Sequence, residues 1–208
     1  VSHDIRTPLT RIRLAAEMLP SNSSSLKESL EEDIVEINDI LNQFLDFARG
    51  FQDEPKKPVN LGKLLKDIQT KHKRMGQEFT LEKKNIRTDV PKKLFIDLRL
   101  LAFQRCLDNL INNAFFYSKG TVLLEASLLE ESFTISIIDD GPGIPESQKS
   151  KLLQPFERVD KARGNKGGSG LGLTIADRII KAHDGKLELI NRLEGGLEAK
   201  ITIPIITA

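Results

Sequence analysis

Residues 164–173 read Gly164-Asn165-Lys166-Gly167-Gly168-Ser169-Gly170-Leu171-Gly172-Leu173, a glycine-rich stretch that leads directly into a predicted helix. Five of its first nine residues are glycine, so its backbone amides can surround a phosphate group, helped by the helix N-terminus and the Lys166 ammonium. The stretch lacks the Gly-Lys-Ser/Thr ending of a P-loop, and no strand leads directly into it, as the dinucleotide-binding fingerprint requires. A plain surface loop is the alternative, and the stretch alone does not decide between the two.

A second glycine segment, Asp139-Asp140-Gly141-Pro142-Gly143, follows directly after a predicted strand. A buried carboxylate at a strand end can accept a hydrogen from the amino group of a base such as adenine, and glycines let the backbone approach the ring. The alternative is an ordinary strand-to-loop turn, in which Asp and Gly are common. On its own this segment does not distinguish a base-binding loop from a turn.

The third pattern lies on a long predicted helix, Asp97–Ser118. Arg105, Asn109 and Asn113 follow one another at intervals of four residues, on a different face from the apolar stripe. Amide oxygens are neutral, hard ligands that Mg²⁺ accepts beside phosphate oxygens. A polar face turned to solvent is the alternative for this stripe taken alone.

Helices and strands alternate around these three patterns, which predicts an α/β sandwich with a mixed sheet covered by helices on one face. The other predicted helices are Leu61–Arg74 and Leu171–His183. The predicted strands are Phe79–Leu81, Leu94–Ile96, Thr121–Leu129, Ser132–Asp139, Lys186–Asn191 and Leu197–Ile205, with a further short one near Ile86.

The first 52 residues follow a different, coiled-coil periodicity that predicts a helical hairpin. Pro20 to Ser25 interrupts the pattern, and the apolar positions are Ile5, Leu9, Ile12, Ala16 and Leu19 before this break, then Leu30, Ile34, Ile37, Leu41, Phe44, Ala48 and Phe51. With Ile40 and Phe47 the second apolar face is too wide for two helices to bury between them. We therefore expect a homodimer that forms a four-helix bundle.

Composition and charge set further limits on the function. Residues 53–59 are rich in charge and proline, so we predict a linker there, between a hairpin domain (1–52) and an α/β domain (60–208). The formal net charge of +1 provides no global field for nucleic acid, and we expect no direct nucleic-acid binding. One cysteine, Cys106, excludes an internal disulfide. The chain begins at Val1 with no signal pattern and no apolar run long enough to span a membrane, so we expect it to be part of a longer protein.

His3 lies on the water-facing side of the predicted hairpin, and Thr7 and Thr10 share its face. Spacing alone favours a solvated surface histidine. Pro8 leaves two possibilities open: the helix runs through it with a loosened turn beside His3, or the helix begins at Pro8 with Thr7 as the N-cap.

Taken in order, these segments resemble a bacterial sensor histidine kinase over nearly the whole chain. The segments that carry the resemblance are Ser2–Thr10 (phosphoacceptor-histidine motif), Asn109–Ala114 (N box), Asp139–Gly143 (first glycine box), Leu153–Phe156 (F box), Gly168–Leu173 (second glycine box) and the pair Gly195-Gly196. Thr10–Ala15 and Gln43–Phe47 are similar to the osmosensing members of the family.

The resemblance implies a bifunctional enzyme. His3 would take the γ-phosphoryl group of ATP, and Asp4 would orient or deprotonate its imidazole. Thr7 would place a water for dephosphorylation of the partner regulator. The implied partners are a second copy of the hairpin and a response regulator of the osmoregulation type. The full-length protein would be anchored in the inner membrane, with this portion in the cytoplasm.

The resemblance also implies a site for ATP and Mg²⁺. Asn113 would hold Mg²⁺ with support from Asn109, and Asp139 would bind the adenine amino group. The remaining implied ATP-binding residues are Gly141 and Gly143 near the base, Tyr117 and Lys166 on the phosphate side, and Gly168, Gly170, Leu171 and Gly172 over the triphosphate.

Departures from the family pattern keep two alternatives open. Phe116 stands where the family places Lys or Arg, and Leu153 where the F box has Phe. An ATP-binding, dimerising pseudokinase without transfer is therefore the main alternative. An ATP-hydrolysing protein of the gyrase type is the other, but its water-activating Glu is replaced here by Asn109, which cannot act as a base.

Overall fold

The computed structural model describes residues 54–77, 79–84, 95–128, 131–157 and 170–205, together with ten single positions between Ile12 and Leu45. The chain divides into two compact units, Val1–Gly50 and Phe51–Ala208. No helix in the described part is long and apolar enough to span a membrane.

All ten described positions of the first unit are helical, as the periodicity predicts. Ile34 and Leu41, seven residues apart on the predicted apolar face, are buried. Ile37 and Phe44 on the same predicted face are 46% and 43% exposed in the single chain. The predicted break from Pro20 to Ser25 lies outside the described residues.

The second unit contains seven strands and four helices in its described part. In chain order they are β1 (Lys57–Asn60), α1 (Leu61–Arg74), β2 (Thr80–Lys84), β3 (Phe95–Leu98), α2 (Leu100–Tyr117), β4 (Val122–Leu128), β5 (Ser132–Asp139), α3 (Glu146–Leu152), α4 (Gly172–Lys181), β6 (Lys186–Asn191) and β7 (Leu197–Pro204).

The main sheet has five strands in the order β2-β4-β5-β7-β6. β2 runs parallel to β4, and every other neighbouring pair is antiparallel. The sheet is therefore mixed, and the predicted α/β fold class is confirmed. β1 and β3 form a separate antiparallel pair.

The core lies between this sheet and the helices α2 and α4. Phe133, Ile135 and Ile137 of β5 alternate along one face of the strand and are buried. The Phe103 ring of α2 meets the Phe133 ring edge-on, with the centroids 6.2 Å apart. The opposite face of β5 is polar, since Ser136 Oγ donates to Glu198 Oε1 at 2.6 Å there. One face of the sheet thus carries the helices that build the site.

Four local predictions differ from the structure, one of them the strand predicted at Phe79–Leu81, which the structure places at Thr80–Lys84. Residues 57–60, placed mostly in the predicted linker, form β1, where Pro58 sits opposite Asp97 in a two-stranded sheet that tolerates a missing amide donor. The helix predicted from Asp97 begins at Leu100, because Asp97 and Leu98 belong to β3. α3 was not predicted, since it is short and buries only Leu152. The strand predicted near Ile86 lies outside the described residues.

Candidate functional site

The predicted asparagine stripe lies where α2 meets the start of α4. The apolar face of α2 is buried in the core, which leaves Asn109 and Asn113 half-buried beside it. Gly172, the first residue of α4, lies against both: a Cβ placed on it would be 3.7 Å from Asn113 Nδ2 and 3.8 Å from Asn109 Cγ. The structure therefore brings the asparagines together with the end of the glycine-rich stretch.

A buried amide donor without a partner among the described residues lies beside the start of α4. Leu171 is its N-cap residue but makes no side-chain cap hydrogen bond. Asn109 Nδ2 is buried and has no hydrogen-bond partner among the described residues. A buried donor without a partner costs about 1–3 kcal/mol, and a helix N-terminus favours negative charge. The place therefore fits a phosphate group.

The side-chain amides of Asn109 and Asn113 fit Mg²⁺ only if phosphate oxygens provide further ligands. Rotating an asparagine side chain by half a turn exchanges its donor and acceptor atoms, so either group can present an oxygen. The described residues contain no cluster of three or more His, Cys, Asp or Glu side chains that could hold a metal ion. Mg²⁺ is commonly held by one or two protein oxygens together with substrate phosphates. Asn109 and Asn113 suit a metal ion that carries a nucleotide.

Asp139 lies at the end of β5 with its side chain buried. Its Oδ1 accepts hydrogen bonds from Gly141 N at 2.8 Å and from Leu197 N at 3.3 Å. Among the described residues no donor is directed at Oδ2. Burial raises the pKa of the Asp139 carboxyl above its ordinary value, and the two amide hydrogen bonds partly oppose the rise. One oxygen is thus held in place while the other remains for an amino group.

Close backbone contacts surround this carboxylate. A Cβ on Gly141 would lie 2.6 Å from the carbonyl oxygen of Tyr117, the last residue of α2. Gly196 has φ +96°, and a Cβ there would collide with the carbonyl oxygen of Asp139. The end of α2, the loop after β5 and the β6–β7 turn therefore meet at Asp139, and only glycine fits at these two contacts.

Tyr117 and Phe116 form an aromatic pair at the end of α2. Their rings are T-shaped, with the centroids 4.8 Å apart, and the side chains are 39% and 55% exposed. The Tyr117 carbonyl packs on Gly141, so this residue lies next to the loop that carries Asp139. The Phe116 ring occupies the position where the resemblance implies a Lys or Arg side chain.

The predicted F box closes onto the glycine-rich stretch. Phe156 has φ +65°, and its amide donates to Gly170 O at 3.1 Å. Gly170 has φ +70°, and a Cβ on it would be 3.0 Å from the Phe156 backbone. Leu171 is fully buried, so its side chain belongs to the core and only its backbone can reach a ligand.

Five predicted site residues lie outside the described part of the chain. They are His3, Asp4, Thr7, Lys166 and Gly168. The positions of Asn109, Asn113, Tyr117, Asp139, Gly141, Gly143, Gly170, Leu171 and Gly172 are all described.

Sequence reasoning missed one residue that shapes the site. Asn191, at the end of β6, exchanges two hydrogen bonds with the backbone of Ile144, in the loop after Asp139. Its one sequence signal is an asparagine shortly before the Gly195-Gly196 turn, and that signal does not indicate which loop the side chain would meet.

Two family models match the chain. The His Kinase A (phospho-acceptor) domain matches residues 1–52. The histidine kinase-, DNA gyrase B- and HSP90-like ATPase model matches residues 99–207. The second match includes every described residue of the candidate site.

Among curated proteins, the sensor protein RstB of Escherichia coli is 32% identical over 213 residues, which cover 99% of this chain and 47% of RstB. The sensor protein kinase WalK of Staphylococcus aureus is 33% identical over 222 residues, covering 98% of this chain and 52% of that protein. The chain thus spans about half the length of these relatives. The solved histidine kinase domain of the E. coli osmosensor EnvZ is 28% identical, with a TM-score of 0.56 over 74% of this chain and 91% of that domain.

Proposed function

Because the chain belongs to the sensor histidine kinases of two-component systems, we propose that it transfers the γ-phosphoryl group of ATP to His3, and from there to an aspartate of a response regulator. The observation that carries the proposal is the contact of Gly172 with Asn109 and Asn113. It places the buried amide donor Asn109 Nδ2, which has no hydrogen-bond partner among the described residues, beside a helix N-terminus on the same unit as the buried Asp139.

The phosphate groups of ATP bind at the start of α4. The backbone amides of Gly168, Gly170, Leu171 and Gly172, together with Lys166, surround the triphosphate. Asn113 holds Mg²⁺, with Asn109 beside it. A Mg²⁺ ion held there would neutralise charge on the phosphate oxygens.

The adenine binds at the loop after β5. Asp139 Oδ2 accepts a hydrogen from the adenine amino group, while Gly141 and Gly143 let the backbone pass close to the ring. Tyr117 lies at the edge of this loop and contacts the nucleotide. Since Asp139 Oδ1 is already held by two amides, the carboxylate needs little reorganisation when the base arrives.

His3 is the acceptor of the phosphoryl group. A neutral imidazole nitrogen donates its lone pair to the γ-phosphorus, the bond to the β–γ bridging oxygen breaks, and ADP leaves. Asp4 orients the ring and takes or holds the proton of the other nitrogen. The chain has three histidines, and both ring nitrogens of His72 and of His183 are hydrogen-bonded inside the second unit. These contacts support His3 as the acceptor, as does the match of residues 1–52 to the phospho-acceptor domain.

The same site supports transfer rather than hydrolysis of ATP. Asn109 stands one helical turn before Asn113, where an ATP-hydrolysing relative needs a carboxylate to activate water, and an amide has no basic group for that step. Thr7 positions a water against the phosphorylated regulator, which gives the chain its phosphatase activity.

The chain acts as a homodimer through the helical hairpin. Exposed Ile37 and Phe44 on the predicted apolar face support a second copy as the cover of that face. The likeness to the E. coli osmosensor EnvZ supports a response regulator of the osmoregulation type. The full-length protein is anchored in the inner membrane and holds this portion in the cytoplasm. With a formal net charge of +1, the chain does not bind nucleic acid directly.

Incubation with γ-labelled ATP and Mg²⁺ tests the proposal on the unaltered chain and on the variants His3→Gln and Asn113→Ala. We expect protein-bound label that is labile in acid and stable in alkali, as a phosphohistidine is, and that is lost in both variants. ATP binding without label would instead indicate a pseudokinase. Release of phosphate without labelled protein would indicate an ATPase of the gyrase type.

A further inference from the structure

The side-chain amide of Asn191 pairs with the backbone of the loop after β5, as a neighbouring strand would. Its Oδ1 accepts from Ile144 N at 2.9 Å, and its Nδ2 donates to Ile144 O at 2.7 Å. Both main-chain polar groups of Ile144 are thereby paired by one amide. Since Ile144 is buried, leaving these groups without partners would cost free energy.

The loop also passes directly over this amide. Gly143 has φ +73°, and a Cβ on it would lie 2.8 Å from Asn191 Oδ1. Asn191 Nδ2 reaches further along the chain and donates to Glu146 Oε1 at 3.2 Å, at the first residue of α3. One side chain thus contacts three successive parts of the segment that leads away from Asp139.

Residues at the two ends of the β6–β7 turn bind the two ends of the loop from Asp139 to Ile144. The amide of Leu197, the first residue of β7, donates to Asp139 Oδ1 at 3.3 Å. Asn191, the last residue of β6, holds Ile144. The turn between them is closed by the bond from Arg192 N to Gly196 O at 3.1 Å. Residues 140–143 lie between these two points of attachment.

We propose that Asn191 is a positioning residue for recognition of the nucleotide base. It fixes the path of the loop from Asp139 to Ile144 before the nucleotide binds, so that the carboxylate and the two glycines meet the adenine without rearrangement. The inference rests on the proposed function, which places the adenine at this loop. Asn191 contacts neither α2 nor α4 in the described hydrogen bonds, so its effect concerns the base and not the phosphates.

Two variants separate positioning from general stability. Asn191→Leu removes both bonds to Ile144. Asn191→Asp keeps the size and the acceptor, loses the donor, and sets a carboxylate oxygen against Ile144 O. Leu193→Ala is the matched control, because Leu193 lies in the same turn and is fully exposed.

The readouts are the Kd values for ATP and GTP by calorimetry and the labelling rate at saturating ATP. We expect Asn191→Leu to raise the Kd for ATP about tenfold, equivalent to 1.4 kcal/mol, and Asn191→Asp to raise it less. The Kd for GTP, which has a carbonyl in place of the amino group, should stay unchanged. The labelling rate at saturation should also be unchanged, and Leu193→Ala should match the unaltered chain in every readout.

Two results would overturn the inference. In one, Asn191→Leu and Asn191→Asp bind ATP as the unaltered chain does. In the other, ATP and GTP weaken equally and the saturated rate falls, which marks a structural role alone. If Asn191→Leu does not fold, the test rests on Asn191→Asp. A larger rise in its Kd for ATP than in its Kd for GTP supports the inference, and equal rises overturn it. An unaltered chain that binds no ATP would end the proposed function as well, whereas ATP binding insensitive to Asn191 would end this inference alone.

Discussion

His183 shows how one buried side chain joins three parts of the second unit. Its Nδ1 donates to Ile179 O at 2.7 Å within the last turns of α4, and its Nε2 accepts from Arg99 N at 2.9 Å just before α2. The ring also packs edge-on against Phe103, with the centroids 5.7 Å apart. These contacts require the neutral ring with its proton on Nδ1, since Nε2 acts as an acceptor.

We predict that protonation of His183 destabilises the fold. Burial lowers the pKa of His183 below the ordinary value, and the hydrogen bond to Ile179 opposes this only in part. The unfolded chain therefore binds this proton at a higher pH than the folded chain, and the free energy of unfolding falls as the pH drops below about 6.5. Urea unfolding at several pH values between about 7 and 5 measures the slope.

The matched variant is His183→Gln, which keeps a polar side chain but takes up no proton. Because the two proteins differ only at this residue, the difference between the two slopes belongs to His183. Equal pH dependence of the two proteins across this range would contradict the prediction.

At the scale of the element, the β6–β7 hairpin organises the base end of the site. Gly195 and Gly196 both have positive φ, at +90° and +96°. A Cβ on Gly195 would meet nothing within 4 Å, whereas one on Gly196 would collide with Asp139 O. A side chain at Gly195 would therefore cause backbone strain alone, whereas one at Gly196 would cause the same strain and also displace Asp139.

We expect Gly195→Ala and Gly196→Ala each to lose about 1–2 kcal/mol of stability from left-handed strain. Gly196→Ala should in addition displace Asp139 and weaken ATP binding at least about tenfold, a change of 1.4 kcal/mol, while Gly195→Ala binds ATP normally. Thermal unfolding together with ATP titration measures both effects. Equal ATP affinities in the two variants would show that the approach of Gly196 to Asp139 has no part in the site.

Local sequence patterns predict some elements well and others poorly. α1 has the predicted bounds because buried Leu61, Leu64 and Ile68 keep helical spacing and Asn60 Oδ1 caps Lys63 N at 2.8 Å. β1 was missed because Pro58 and the lysines beside it are weak strand formers, and its pairing with β3 depends on residues about forty positions away.

At the scale of the whole molecule, the order of the motifs predicts which residues share the site. Asn109 and Asn113 on α2 are far from Gly172 in sequence, yet the structure places Gly172 against both. The role of Asn191 could not be predicted, because it arises only when the end of β6 packs against the loop after β5. The family resemblance therefore predicts which segments come together and is silent about the side chains that hold the loops in place.

The segment that precedes β1 is tied to the helix that carries the asparagines. Glu54 Oε1 accepts from Leu101 N at 2.8 Å, and its Oε2 accepts from Ala102 N at 3.0 Å. Arg99 is the N-cap residue of α2 but provides no side-chain cap hydrogen bond, so Glu54 performs that role from a distant part of the sequence. Lys56 Nζ donates to Asp184 Oδ2 at 2.9 Å nearby. Both contacts hold the residues just before β1 in place within the second unit.

Calorimetric titration of ATP into Asp139→Asn and Asp140→Asn tests most directly whether the second unit binds ATP with its adenine at Asp139. Asn at position 139 can still accept from Gly141 and Leu197, but it presents a donor to the adenine amino group. Asp140 is the matched control, because its Oδ1 accepts from Lys119 N at 2.7 Å on the exposed side of the same loop. We predict that Asp139→Asn weakens ATP binding between about tenfold and a hundredfold while Asp140→Asn leaves it unchanged. Equal ATP affinity in the two folded variants would contradict the account.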